Sequence, residues 1–72
     1  MRKPGWELYG RENGQWVYEG WFSPEEYDFD EVREHADQLF EESRRGRFPY
    51  DSVVVKDALD RRKVLYRAKR EV

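Results

Sequence analysis

Residues 23–46 read SPEEYDFDEVREHADQLFEESRRG, from Ser23 to Gly46, and this stretch decides the fold. It opens on Ser23-Pro24-Glu25-Glu26, a helix start. The serine hydroxyl accepts from an unpaired backbone N–H, proline suits the first helical position, and Glu26 completes a capping box. A second start lies at Asp28, with Glu31 three residues on. The expectation is a first turn over residues 24–27 and a main helix from about Asp30, fused or separate. Phe29, Val32, Ala36, Leu39 and Phe40 then fall on one stripe, the rhythm of a single buried face. Gly46 supplies a left-handed stop, and Arg44 and Arg45 sit where the helix dipole favours positive charge.

The opposite face of this helix carries Glu31, Glu34, Gln38, Glu41 and Glu42, flanked by Asp30 and Asp37. From Glu25 to Glu42 there are nine acids against one base, Arg33, a local charge of −8. Two readings follow. One is a solvated face with acids biased toward the helix N-terminus. The other is an acidic ridge that docks on a basic protein groove or imitates nucleic-acid phosphates.

Upstream, residues 1–5 form a lead-in, expected to fray, with Pro4-Gly5 as punctuation. Residues 6–22 are two aromatic, period-two runs joined by Asn13-Gly14, a strong hairpin signal. A two-residue loop pairs Glu12 with Gln15, Arg11 with Trp16, Tyr9 with Tyr18 and, in a straight strand, Trp6 with Trp21. Alternation then puts Glu7, Tyr9, Arg11, Trp16 and Tyr18 on one face, joined by Phe22 if the strand is straight. The other face holds Trp6, Leu8, Gly10, Val17, Glu19 and Trp21, and a bulge near Gly20 would shift the last residues by one. Both faces are apolar enough to lie under a helix. One helix covers one face, so an aromatic patch is expected to stay outside whichever way the hairpin turns.

Downstream, residues 44–51 loop back to a second hairpin over residues 52–68. Ser52-Val53-Val54-Val55-Lys56 is β-branched and short, hence a strand. Residues 63–68 are its partner, with residues 57–62 as the turn. A helix over residues 56–71 is the rival, and three consecutive valines favour the strand. Residues 69–72 read as a basic tail. The plan is a single α+β domain, ββαββ: an antiparallel, four-stranded sheet with one amphipathic helix on one face.

A chain of 72 residues supports one domain with a core near the lower limit for independent stability, and no deep substrate cavity. The sequence has no cysteine, which excludes disulfides and thiolate metal sites and suits a reducing compartment. It opens on no signal-peptide pattern and holds no apolar run of membrane-spanning length, so a soluble cytoplasmic protein is expected. The net charge of −2 hides a separation: residues 43–72 carry ten bases and four acids, opposing the acidic helix. Heavy use of Glu, Arg and Tyr, with one methionine and one asparagine, is thermophile-like.

No catalytic signature emerges. His35 is the only histidine and falls at the flank of the acidic ridge, where it reads as a surface residue. Ser23, Ser43 and Ser52 have no histidine-containing constellation around them. Gly10, Gly14 and Gly20 belong to a hairpin, not to a phosphate loop before a helix. Asp30, Glu31, Glu34 and Glu42 lie near His35, but no loop has calcium-type spacing. The expectation is therefore no enzyme, no cofactor and no metal.

Tyr9-Gly10-Arg11, Gly14-Gln15, Phe22-Ser23, Leu39-Phe40-Glu41-Glu42 and Arg45-Gly46 together resemble, over about half of the chain, the WGR domain found beside poly-ADP-ribosylating enzymes. Tyr9 replaces the namesake tryptophan, the Arg-to-Gln spacing is shorter, and the C-terminal hairpin has no counterpart. No function is carried across on those residues.

What remains is a small interaction protein that binds another protein with a basic surface. Its working surface is the acidic ridge of Glu31, Glu34, Gln38, Glu41 and Glu42, or the aromatic face of Tyr9, Trp16 and Tyr18 with Arg11, or both. A phage-type or regulatory inhibitor of nucleic-acid-handling machinery is a concrete version, since such machines offer basic grooves. The alternative is a single-stranded nucleic-acid binder that stacks bases on the aromatic face and contacts phosphates through Arg61, Arg62, Lys63, Arg67, Lys69 and Arg70. A homodimer through the spare face is the third expectation.

Overall fold

The computed structural model describes residues 3–69, for Lys69 the backbone alone, and its helix begins at the second of the two start signals. Helix α1 is Phe29–Arg44, with Asp28 as its N-cap. The Glu31 N–H donates to Asp28 Oδ1 at 2.9 Å and the Asp28 N–H donates to Glu31 Oε1 at 3.2 Å, a complete capping box. Of the two possibilities, fused or separate, the first turn and the main helix are separate, so residues 23–46 are not one continuous helix. The N–H groups of Glu26 and Tyr27 both donate to the Ser23 carbonyl, which makes one isolated turn. Asp28 is then extended (φ −95°, ψ 172°), and an extended cap interrupts the helical path. At the other end Gly46 has φ +86°, the left-handed stop its position suggests.

Four strands make one antiparallel sheet: β1 (Trp6–Glu12), β2 (Gln15–Phe22), β3 (Ser52–Asp57) and β4 (Asp60–Lys69), in the order β2-β1-β3-β4. Asn13 (φ 53°) and Gly14 (φ 80°) form the tight first turn. The second hairpin turns on Ala58 and Leu59 alone, so β4 starts three residues earlier than the sequence suggests. Asp57 explains the tightness: its Oδ1 accepts from the Leu59 N–H at 2.9 Å. The chain is a strand through residue 69, so the expected basic tail is in part the end of β4. Residues 1, 2 and 70–72, and with them Arg70 and most of that tail, lie outside the described residues.

The register resolves the question of faces. Tyr9 pairs with Tyr18 as expected, but Leu8 pairs with Gly20, Glu7 with Trp21 and Trp6 with Phe22. Glu19 is the extra residue of a bulge, and beyond it the parity of β2 flips. Phe22 therefore joins the helix side and Trp21 leaves it, the reverse of the straight-strand pairing.

Helix α1 lies over β3 and β4. Its Val32, Ala36 and Leu39 meet Leu8, Val53, Val55 and Ala68 in one buried cluster. Wholly buried valines contribute roughly 1.5–3 kcal/mol each from apolar burial. At one end Phe22 packs edge-on against Tyr27, with His35 5.0 Å from the Phe22 ring and 5.7 Å from Tyr27. Trp6 faces Phe29 at 6.0 Å. At the other end the returning loop lays Tyr50 on Gly10, where a Cβ would clash with the tyrosine ring carbons. Gly10 is thus the gap in β1 that admits Tyr50, whose hydroxyl donates to Glu19.

Candidate functional site: the open face of the sheet

The face away from α1 is built by alternation. Glu7, Tyr9 and Arg11 on β1 stand beside Trp21, Tyr18 and Trp16 on β2, and beside Lys56, Val54 and Ser52 on β3. Val64 and Arg67 of β4 pair with Lys56 and Val54 and so share this side. Tyr18 is 54% exposed, Trp21 40% and Trp16 38%, all large rings in contact with solvent. Val54 is wholly buried although no helix covers it. Its neighbours in register, Tyr9 and Arg67, are long enough to shield it.

The cations on this face lie on the aromatics. The Arg11 guanidinium carbon is 5.4 Å from the Trp16 ring centre. Lys56 Nζ is 4.9 Å from both the Trp16 and Tyr9 rings, lodged between two strands' aromatics. Tyr18 meets Tyr9 edge-on at 5.6 Å. Such cation–ring contacts stabilise exposed sites by about 0.5–1 kcal/mol each and hold the rings in position.

Glu7 is the one buried charged residue among those described. Its Oε1 accepts from the Tyr9 hydroxyl at 2.9 Å and from Arg61 Nε at 3.2 Å, which satisfies the carboxylate. Desolvation first, then the bond to Glu7, pushes the Tyr9 phenol above its ordinary pKa. Tyr9 therefore stays neutral and keeps donating across the physiological range. Beside Glu7 a recess of about 200 Å³ opens between Lys3, Trp21, Ala58 and Arg61. Among the described side chains, Arg11, Lys56, Arg61 and Arg67 thus share the face with one carboxylate, the buried Glu7.

The acidic ridge is different in kind. Glu31 is spent on the capping box. Glu41 has Arg44 at 3.6 Å and Arg45 at 4.0 Å. Glu42 accepts from Arg47 at 2.7 Å and from the Gln38 amide at 2.9 Å. Asp30 is 3.6 Å from Arg33, and Asp37 accepts the Tyr66 hydroxyl at 2.5 Å. Of the five ridge residues, Glu34 alone has no hydrogen bond or ion pair among the described residues. Among the described residues the partners of Glu41 and Glu42 are therefore arginines at and just past the helix end, Arg44, Arg45 and Arg47.

The described members of the basic cluster of β4 are dispersed. Arg61 serves Glu7, Arg62 points into solvent 3.7 Å from Asp60, and Lys63 is exposed. Arg67 is on the open face by register, while the Lys69 side chain and Arg70 lie outside the described residues. The sequence reading placed Glu7 on this face without giving it a role, and missed Lys56 and Trp21 as members of the site. Lys56 joins it only through the β1–β3 pairing, and Trp21 only through the bulge. No group of three or more His, Cys, Asp or Glu side chains is placed to hold a metal ion among the described residues. Nor is any described helix long and apolar enough to cross a membrane. The chain matches no protein-family model, no curated protein and no solved structure, so its geometry is the ground for a functional reading.

Proposed function

We propose that this chain is a non-enzymatic interaction module and that it binds its partner through the open face of the sheet. One observation carries the reading. Three solvent-contacting rings, Trp16, Tyr18 and Trp21, stand in line on β2 beside cations from β1, β3 and β4. Aromatic and arginine side chains are the groups that dominate binding energy at interfaces, and a contiguous exposed patch of them marks an interaction surface.

The acidic helix ridge fits the role of principal contact less well. Most of its carboxylates already have partners within the chain, and engaging a basic groove would first break those pairs. Self-association through the open face is also disfavoured, because a two-fold contact sets each cation-rich patch against its own copy.

The test is a pull-down from the source lysate, with and without nuclease. Wild type is compared with Trp16→Ala/Tyr18→Ala and with the helix variant Glu34→Gln/Gln38→Ala. The expected result is a partner kept by the helix variant and lost by the sheet variant. Loss in the helix variant alone would move the working surface to the ridge.

A further inference from the structure

Resting on that reading of the open face, we infer that its partner is single-stranded nucleic acid. Two features of the face point to the same ligand. The first is charge: among the described residues Arg11, Lys56, Arg61 and Arg67 spread over three strands, and the one carboxylate that the register sets among them is the buried Glu7, paired with Arg61. The helix acids lie on the far side of the molecule, so the cations face outward as a local positive field despite the net charge of −2. Single-strand binders combine such a field with rings on which successive bases stack.

The second is the arrangement of the rings. Trp16 and Tyr18 are two residues apart on one strand, so their side chains emerge about 6.6–6.8 Å apart on the same side. Trp21 continues the row beyond the Glu19 bulge. Tyr18, the most exposed of the three, has no cation over its ring among the described residues, so its free surface is open to a base. Lys56 and Arg11 lie beside the row on flexible stems, within reach of a phosphate that follows the stacked bases. At the Trp21 end of the row the recess is lined by Lys3 and by the Arg61–Glu7 pair, and Glu25 and Glu26 line the neighbouring hollow, so the cationic part of the track is the Trp16–Tyr18 end. A duplex would offer no unstacked base to these rings, whereas a single strand uses the spaced rings and the cations beside them together.

The experiment measures binding of fluorescein-labelled 15-mers of deoxythymidine and of uridine by anisotropy, from 50 to 200 mM salt. With four phosphate contacts, the log–log salt slope is expected near about −3, roughly a fiftyfold loss of affinity over that range. Tyr18→Ala and Trp16→Ala are expected to weaken binding about tenfold each. Lys56→Met should lower the slope by about 0.7, and Glu34→Gln on the helix should leave binding unchanged. Tyr18 is more than half exposed, so its truncation spares the core, and circular dichroism of each variant verifies the fold. No binding at 50 mM salt, equal affinity for duplex, or indifference to Tyr18→Ala would each overturn the proposal. If the oligonucleotides fail while a nuclease-resistant protein partner is lost with the sheet variant, the nucleic-acid inference falls and the open-face reading stands. If the sheet variant loses nothing, both fall.

Discussion

Both faces of this sheet carry aromatic and aliphatic side chains, yet only one lies under the helix. The helix side presents Leu8, Gly10, Val53, Val55 and Ala68, small or compact groups that let Val32, Ala36 and Leu39 approach. The open side presents Tyr9, Trp16, Tyr18, Lys56 and Arg67, long side chains with polar tips that screen their own apolar stems. Hydrophobic content therefore does not choose the face to be buried. Directly under the helix the groups are compact, with Trp6, Phe22 and Tyr66 packed at the margin of the core, whereas the open face keeps side chains whose far ends need water or a charge.

That contrast breaks most visibly at its centre. Val32→Asp places an unpaired carboxylate at a wholly buried site, and the expected outcome is loss of the folded state in circular dichroism. Leu39→Ala should cost about 2–4 kcal/mol in urea unfolding, whereas Trp16→Ala on the open face should cost about 1 kcal/mol or less. Equal costs would mean that the open face is as much a core as the helix side. Gly10→Ala drives a methyl into the Tyr50 ring and should cost about 1–3 kcal/mol, with the Tyr50–Glu19 bond lost. Asp28→Ala removes one half of the capping box and should cost about 1 kcal/mol in the same assay.

The smallest effect is in alkali. Burial first, and then the hydrogen bond to Glu19, push the Tyr50 phenol up to about 12 from an ordinary 10.0. The native state thus holds this proton where the unfolded chain has released it. The contribution is complete below pH 10 and is lost as the pH rises toward 12. Tyr66, held up mainly by its bond to Asp37, acts in the same direction. Thermal melts of wild type and Tyr50→Phe over this window should show a shallower decline in the variant. Parallel curves would remove Tyr50 from the account.

Much of the fold was legible because its signals are local. Asn13-Gly14, the Asp28/Glu31 box, the three valines and Gly46 each act within a few residues. The decision between Ser23 and Asp28 as helix start was not legible, since both carry a capping box and only the extended backbone at Asp28 separates them. Which hairpin face turns inward was not legible either. It depends on Glu19 bulging out of β2 and on Tyr50 arriving from a loop some forty residues away to fill the gap at Gly10. Of the site, Tyr9, Arg11, Trp16 and Tyr18 could be placed together from the first hairpin alone. Lys56 and Arg67 required the pairing of β3 with β1, for which the sequence has no short-range signature. The acidic ridge misled because counting charges by residue type ignores the arginines that fold back onto it.

The β1–β3 seam has a consequence in time. Both hairpins and the helix close over short loops, whereas the seam joins residues 41 to 51 positions apart, from Arg11 with Ser52 to Trp6 with Asp57. Loop-closure entropy makes such a contact slow to form, so each half should take shape before the two zip together. Tyr9 with Lys56, and Tyr9 with Val54, meet only across that seam. The open face therefore does not exist on either hairpin alone. A ligand that needs it would bind the finished molecule and hold the two halves shut, slowing unfolding more than it speeds folding.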